Sequence, residues 1–286
     1  SVYDRAFQVS VGVRWMKLIP EIAACKDSLT KLRHQLHAFP ELAYEEHQTS
    51  ALVASLMREW GVEVHCGLGG TGVVGLVRGG TSSRMIALRA DMDALPIAEA
   101  NAFEHRSRTP GVMHACGHDG HTTMLLGAVQ YLAATRAFDG TVVVVFQPAE
   151  EGKGGAAAMI ADGLFERFPV DAIFGLHNWP GMPLGKFGIS PGPVMASADR
   201  FDIVVSGRGA HAAMPHQGSD TILAASQLVL ALQRVTARAI DPLDSAVVSV
   251  TSLHGGDAYN VMPERVELCG TVRALRHATR DRVIAS

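Results

Sequence analysis

The chain has 286 residues, of which 48% are hydrophobic and 19% charged, and this length is enough for roughly two domains of ordinary size. The formal net charge of -3 gives no electrostatic reason to expect a nucleic acid or an anionic membrane as partner. The four cysteines are far apart and exclude the disulfide framework of a small secreted domain, so a reducing compartment, most simply the cytoplasm, is expected.

The N-terminal residues lack the charged-then-apolar layout of a signal peptide, and no apolar run approaches the length of a membrane span. Met16 looks like a natural start. Residues 1–15 are therefore interpreted as an extension, and the fold prediction begins after them.

Helices and strands alternate in the first part of the chain. Apolar positions at helical spacing predict helices over 21–37 and 41–60, the second closed by Gly61. Short β-rich runs and further helical patterns follow, and this alternation predicts a layered α/β sheet. The predicted strands cover 62–66, 72–78, 84–89, 141–146 and 172–176, and the further helices cover about 121–137 and 154–162.

A cluster of breakers, Ser190-Pro-Gly-Pro193, predicts a linker. It suggests two domains, over 16–189 and 190–286. In the second domain, a β-α-β-β-α series without its last strand predicts an unfinished ferredoxin-like α+β sandwich. Its strands are expected at 201–206, 246–253 and 265–274, and its helices at 221–238 and from about 278.

Side chains that bind divalent transition metals are concentrated around the ends of the predicted strands. In an open α/β sheet, ligands gather in the crevice outside the carboxyl ends of the strands, so a metal site is predicted there. Adjacent side chains of an extended chain point to opposite sides, so one of two neighbouring glutamates can bind metal while the other faces substrate and water. The candidates are Cys116, His118, His121, Glu150, Glu151 and His177.

Two aspartates, Asp91 and Asp93, end another predicted strand and face the same side. They could be ligands, or acceptors that orient a ligand histidine. The alternative is a capped turn before Pro96.

The segment Gly67-Leu-Gly-Gly-Thr-Gly72 satisfies the G-x-G-x-x-G pattern of dinucleotide-binding proteins. That fingerprint has to open a helix, whereas a strand is predicted here. An NAD-dependent enzyme is therefore rejected.

In the second domain, His211 and His216 lie in a predicted loop, Asn260 lies between strands and Arg273 lies on the last strand.

Together these stretches resemble the M20 family of metallopeptidases, and most closely its amidohydrolase branch, which includes hippurate hydrolases, N-acyl-amino-acid amidohydrolases and auxin-conjugate hydrolases. The resemblance runs from about residue 30 to the end of the chain. It is carried by His37-Ala-Phe-Pro-Glu-Leu, Arg89-Ala-Asp-Met-Asp-Ala-Leu-Pro, Met113-His-Ala-Cys-Gly-His-Asp-Gly-His, Phe146-Gln-Pro-Ala-Glu-Glu-Gly, Gly175-Leu-His-Asn-Trp-Pro and Gly207-Arg-Gly-Ala-His-Ala-Ala-Met-Pro-His.

The resemblance implies an α/β/α catalytic domain with a mixed sheet, an inserted ferredoxin-like lid and dimerisation domain, and a homodimer. It implies two divalent transition-metal ions, Mn2+ or Zn2+, with Co2+ or Ni2+ as further choices. It assigns Glu150 as the general base, His211 as the residue that polarises the scissile carbonyl, Asp93 as a residue that orients a ligand, and Asn260 and Arg273 as substrate-binding residues. The implied metal ligands are Cys116, His118, Glu151 and His177.

Family members continue beyond the point that corresponds to Ser286 and return to the catalytic domain with a last histidine ligand. The resemblance therefore leads us to expect a C-terminally incomplete chain with an exposed strand edge and poor solubility.

The leading hypothesis is a metal-dependent hydrolase that cuts the amide bond of N-acyl amino acids, such as N-benzoyl or N-acetyl amino acids. An auxin-conjugate hydrolase or a dipeptidase of the same family stays open. So does a non-catalytic relative that only binds metal or ligand.

Overall fold

The structure is a computed structural model that describes residues 18–286. The predicted extension, residues 1–15, lies outside the described part. Contacts divide the described chain into two compact units, 18–184 and 185–286, and the division falls shortly before the linker predicted at 190–193. No helix in the described range is long and apolar enough to cross a membrane.

The first unit begins with helices and then alternates strands with helices. The helices are α1 (Pro20–Ala24), α2 (Lys26–Ala38), α3 (His47–Glu59), α4 (His118–Thr135), α5 (Gly155–Ala161) and α6 (Leu164–Arg167). The strands are β1 (Glu63–Leu68), β2 (Gly72–Gly79), β3 (Met85–Asp91), β4 (Gly140–Gln147) and β5 (Ala172–Gly175).

These strands form one mixed sheet in the order β1-β2-β4-β3-β5. The pairs β1/β2 and β2/β4 are antiparallel, whereas β3 runs parallel to both β4 and β5. The mixed α/β fold predicted from the sequence is thereby confirmed. The glycine-rich segment 67–72 connects β1 to β2, so it leads into a strand and lacks the helix that a dinucleotide site requires.

Helices cover both faces of this sheet, and β4 shows why. Val142, Val144 and Phe146 pack with residues of α3 and α4 on one face. Val143 and Val145 pack with residues of α5 and α6 on the other. Successive side chains of a strand point to opposite faces, so an apolar run through β4 fills two cores at once and makes the unit a three-layer α/β/α structure.

The second unit is a two-layer α+β arrangement. Its main sheet has the order β6-β10-β8 with antiparallel neighbours, and α7 and α8 cover one face. The elements are β6 (Asp199–Ser206), β7 (Ala210–His211), α7 (Thr221–Arg234), β8 (Ala246–His254), β9 (Val261–Met262), β10 (Arg265–Ala274) and α8 (His277–Ala285).

Several predicted boundaries are wrong, and local contacts explain the largest error. The helix predicted from residue 41 begins at His47. Tyr44 has φ 67°, which a helix does not allow, and the Glu41 carboxylate accepts hydrogen bonds from the amides of Gln48 and Thr49 in the first turn of α3. The predicted helix 21–37 is interrupted at residue 25, and the helix predicted over 221–238 continues after Arg234 as a π-helical segment, Val235–Ala239.

Candidate metal centre

Three parallel strands of the first unit end at the same edge of the sheet. In register, Asp91 of β3 pairs with Gln147 of β4, and Arg89 pairs with Gly175 of β5. The segments that leave these three strands carry most of the candidate ligands. Strand alignment therefore brings these segments to one edge of the sheet.

His118 lies at the centre of this edge. It is the first residue of α4, after a left-handed Gly117 with φ 92°, and its side chain is completely buried. Its Nε2 has no hydrogen-bond partner among residues 18–286. Its Nε2 lies 3.6 Å from Asp91 Oδ2, 3.9 Å from Glu151 Oε1 and 4.0 Å from Glu150 Oε2. These distances are too long for hydrogen bonds and leave room for a cation between the atoms.

Two overlapping groups of side chains could hold a metal ion, and they share His118. In each group, one ligand atom per residue lies within 4.8 Å of all the others. The Sγ atom of Cys116 also lies 3.5 Å from Nε2 of His177, which brings residues of the two groups into contact. The first group consists of Cys116, His118 and Glu151, and the second of Asp91, His118, His121 and His177.

Asp93 contacts two of these residues. Its Oδ1 lies 3.3 Å from Nδ1 of His118, and its Oδ2 accepts a hydrogen bond from the Glu151 amide (2.9 Å). A carboxylate on the far nitrogen of a histidine fixes the orientation of the ring and leaves the other nitrogen for a metal. This is the arrangement in which an aspartate orients a ligand.

The charges at the site favour a cation. Burial, together with the charge of Glu151, raises the pKa of the Cys116 thiol to about 12. Burial and the same Glu151 charge also raise the pKa of Glu150. Burial opposes ionisation of Asp91, but a hydrogen bond from His121 and the charges of His118 and Arg89 outweigh it and lower the Asp91 pKa. A divalent cation would offset the repulsion among these acidic groups, so the donor set fits a transition metal.

The structure thus brings together, in the first unit, every residue of that unit predicted to act at the site. It also shows contacts that the sequence pattern did not reveal. His121 Nδ1 lies 2.6 Å from Asp91 Oδ1, and Asn178 contacts the other ring nitrogen. The spacing of Asp91 from the cysteine–histidine motif gave no signal for this pair, because their contact depends on how β3 and α4 are placed.

The residues predicted in the second unit lie in two separate places, one at the small β7/β9 sheet and one on β10. β7 pairs with β9, and the Ala212 amide donates to the Asn260 carbonyl, so exposed His211 and Asn260 are neighbours. β10 begins at Arg265, and Arg273 lies near its other end. At about 3.3 Å per residue, the two arginines are roughly 26 Å apart along the strand. Arg265 pairs with Ser206, shortly before the His211 segment. One copy of this unit therefore does not bring Arg273 to His211 and Asn260.

A layered α/β unit with cysteine, histidine and glutamate side chains at the carboxyl ends of its parallel strands has the architecture of a metal-dependent hydrolase. Comparison with known sequences agrees, since the profile of Peptidase family M20/M25/M40 matches residues 87–281. The chain belongs to this peptidase family.

Individual proteins are also similar to this chain over most of its length. The chain is 49% identical over 265 residues to the hippurate hydrolase of Campylobacter jejuni, covering 93% of this chain and 69% of that protein. It is 41% identical over 263 residues to the N-acetyl-L-cysteine deacetylase of Bacillus subtilis, covering 92% and 63%. The crystal structure of the Bacillus subtilis YXEP protein, a dinuclear metal binding peptidase from the M20 family, superposes with a TM-score of 0.76 at 38% identity, covering 91% of this chain and 67% of that one.

Proposed function

We propose that this protein is a metal-dependent amidohydrolase that cuts the amide bond of N-acyl amino acids, with two divalent transition-metal ions, Mn2+ or Zn2+. The names of the relatives, a hippurate hydrolase and an N-acetyl-L-cysteine deacetylase, support this substrate class. The observation that carries the proposal is the buried His118 ring, whose Nε2 has no hydrogen-bond partner in the described chain and faces three carboxylates.

In this proposal the metal ligands are Cys116, His118, Glu151 and His177. When bound, a divalent transition metal would polarise the amide carbonyl and make water acidic enough to attack it near neutral pH. A Cys116 thiolate ligand disfavours magnesium and calcium, which prefer oxygen ligands, and leaves zinc, manganese, cobalt and nickel.

Glu150 is the proposed general base. Its side chain is 40% exposed and therefore open to water and substrate, and its Oε2 lies at the edge of the ligand cluster, 4.0 Å from Nε2 of His118. A pKa raised by burial and by Glu151 makes it a better proton acceptor than an ordinary carboxylate. It takes one proton from the attacking water as the carbon–oxygen bond forms. It then gives that proton to the leaving nitrogen as the carbon–nitrogen bond breaks, which yields a carboxylic acid and an amine; the acid then loses its proton to the amine or to water.

We further propose that the second unit acts as a lid and as a dimerisation domain. His211 would polarise the scissile carbonyl, and Asn260 and Arg273 would bind substrate. The exposure of His211 and its neighbourhood to Asn260 support a shared role for these two residues. His211→Ala should lower turnover without changing metal content, and equal activity would reduce His211 to an ordinary surface residue. Sedimentation of the purified chain tests the dimer.

The proposal is tested by incubating the purified chain with N-benzoylglycine, N-acetylcysteine, an indoleacetyl amino acid and a dipeptide, each with Mn2+, Zn2+ or a chelator. We expect metal-dependent release of amino acid from the N-acyl substrates. Glu150→Gln should abolish turnover with metal content unchanged, whereas Glu166→Gln, at an exposed position of α6, should leave both unchanged. Metal binding without turnover of any substrate would instead favour a protein that only binds metal or ligand.

A further inference from the structure

His121 belongs to one of the two groups of potential ligands, yet both of its ring nitrogens are already engaged. Nδ1 lies 2.6 Å from Asp91 Oδ1. The backbone amide of Asn178 donates to Nε2 (3.1 Å), and the side-chain oxygen of Asn178 lies 2.5 Å from the same atom.

Neither protonation state leaves His121 a lone pair for a metal. In the neutral ring, Nδ1–H faces the Asp91 carboxylate, and the lone pair on Nε2 accepts the Asn178 amide hydrogen. In the protonated ring both nitrogens carry hydrogen, and Nε2–H points at the Asn178 oxygen. His118 is the opposite case, since Asp93 faces its Nδ1 and its Nε2 has no hydrogen-bond partner within residues 18–286.

The Asp91 end of this contact is held firmly. Asp91 is fully buried, its Oδ2 accepts from Arg89 Nη1 (2.7 Å), and its carbonyl accepts from the Thr122 hydroxyl (2.9 Å). Arg89 Nε in turn donates to Gln147 Oε1 (2.8 Å). The ring of His121 is therefore tied to β3 and β4 as well as to its own helix.

The other end lies beside a proposed ligand. Asn178 directly follows His177, and its side chain lies against Gly117, where an added Cβ would meet Asn178 Oδ1 at 2.5 Å. His177 Nε2 reaches to within 3.5 Å of Cys116 Sγ. A shift of Asn178 would move His177 away from Cys116.

We infer that His121 is a positioning residue rather than a metal ligand: anchored on Asp91, it fixes Asn178 and thereby holds His177 at the metal centre. The metal-binding consequence of this inference rests on the proposed function. The placement of the segment around Asn178 does not, and it can be measured without metal.

The first measurement is hydrogen exchange of the metal-stripped chain, read on the peptide that contains Asn178. His121→Ala should speed exchange of the Asn178 amide relative to the wild-type chain. His121→Gln offers an acceptor in place of Nε2 and should restore part of the protection. His47→Ala, at an exposed position of α3, is the control and should change nothing. Unchanged exchange in His121→Ala would overturn the inference.

The second measurement is titration of the same variants with Zn2+ or Mn2+, counting bound ions. We expect His121→Ala and Asn178→Ala to bind as many ions as the wild-type chain, with affinity weakened by about 10- to 100-fold. His177→Ala should lose an ion. The inference is overturned if His121→Ala loses an ion while Asn178→Ala keeps full affinity, because that result defines a ligand. A wild-type chain that binds no ion contradicts the proposed function, and the exchange measurement then still decides the role of His121.

Discussion

His37 and Asp119 join α2 to the first turn of α4, with 3.0 Å between His37 Nδ1 and Asp119 Oδ2. The other ring nitrogen of His37 lies 3.0 Å from Glu99 Oε1. The Asp119 hydrogen bond raises the pKa of His37 against the opposing effect of burial. Burial alone would raise the pKa of Asp119, but the hydrogen bond from His37 and the charges of His114 and Arg33 together outweigh it and lower that pKa to about 2. Asp119, the residue next to the proposed ligand His118, thus has a partner from another helix.

This pair predicts a pH-dependent contribution to stability. The folded-state pKa of His37 lies above its ordinary value of 6.5, so its added stability is complete below pH 6.5 and is lost as pH rises through the raised pKa. The Asp119 contribution is present above its ordinary pKa and is lost only as pH falls towards 2. His37→Ala should therefore lower the free energy of unfolding at pH 5.5 by about 3 kcal/mol, and by less at pH 9.

The check is thermal or urea unfolding of wild type and variant at both pH values. His65→Ala is a matched control, because His65 makes a similar contact with Glu63 (3.0 Å) on a more exposed surface, where such pairs contribute about 0–1 kcal/mol. A His37→Ala loss that is equal or larger at pH 9 contradicts the assignment.

The contacts of Asp93 predict that removing its carboxylate lowers metal affinity without changing the number of bound ions. It faces Nδ1 of His118 and accepts the Glu151 amide, so it orients two proposed ligands. Asp93→Ala should weaken Zn2+ or Mn2+ binding by about 10- to 100-fold, as removal of an orienting carboxylate does in other metal sites. Chelator competition measures this, with Asp257→Ala, at an exposed position of the second unit, as control. Wild-type affinity in Asp93→Ala would contradict the role.

The sequence predicted the architecture of the first unit because β4 and the cysteine–histidine motif are strong local signals. A short run of β-branched residues such as Val142–Phe146 is typical of a strand buried on both faces, and donors that follow parallel strands meet at one edge. Cys116, His118 and Glu151 were found together for this reason.

The errors arise where a contact between distant residues decides the local structure. The start of α3 depends on the Glu41 carboxylate and on a left-handed Tyr44, and neither is visible in a pattern of apolar positions. The contacts of His121 with Asp91 and Asn178 form because β3 and the segment after β5 bring these residues to it. The resemblance assigns both Arg273 and Asn260 to substrate binding, and the distance between them along β10 is set by strand length, which the motifs do not show.

The backbone conformation and close surroundings of Gly117 predict that the turn before α4 tolerates no side chain at this position. Its φ of 92° strains any residue with a Cβ, and that Cβ would meet Asn178 Oδ1 at 2.5 Å. Gly117→Ala should lower the free energy of unfolding by about 2–4 kcal/mol, from a strained backbone and a steric clash together. Gly111→Ala is the control, since its φ is 76° but nothing lies within 4 Å of the added Cβ. Equal losses in the two variants would show that backbone strain alone is responsible.

The surroundings of Cys116 predict that its thiol reacts slowly with alkylating reagents when metal is removed. Burial and the Glu151 charge raise its pKa to about 12, so very little of the thiol is ionised at pH 8, and the thiolate is the reactive form. In the chelated chain, iodoacetamide should modify Cys116 far more slowly than the exposed Cys66, as measured by mass spectrometry of the peptides. Glu151→Gln removes the nearby charge and should speed the modification of Cys116 without changing that of Cys66. If Cys116 reacts as fast as Cys66, the negative surroundings that favour a cation at this site are absent.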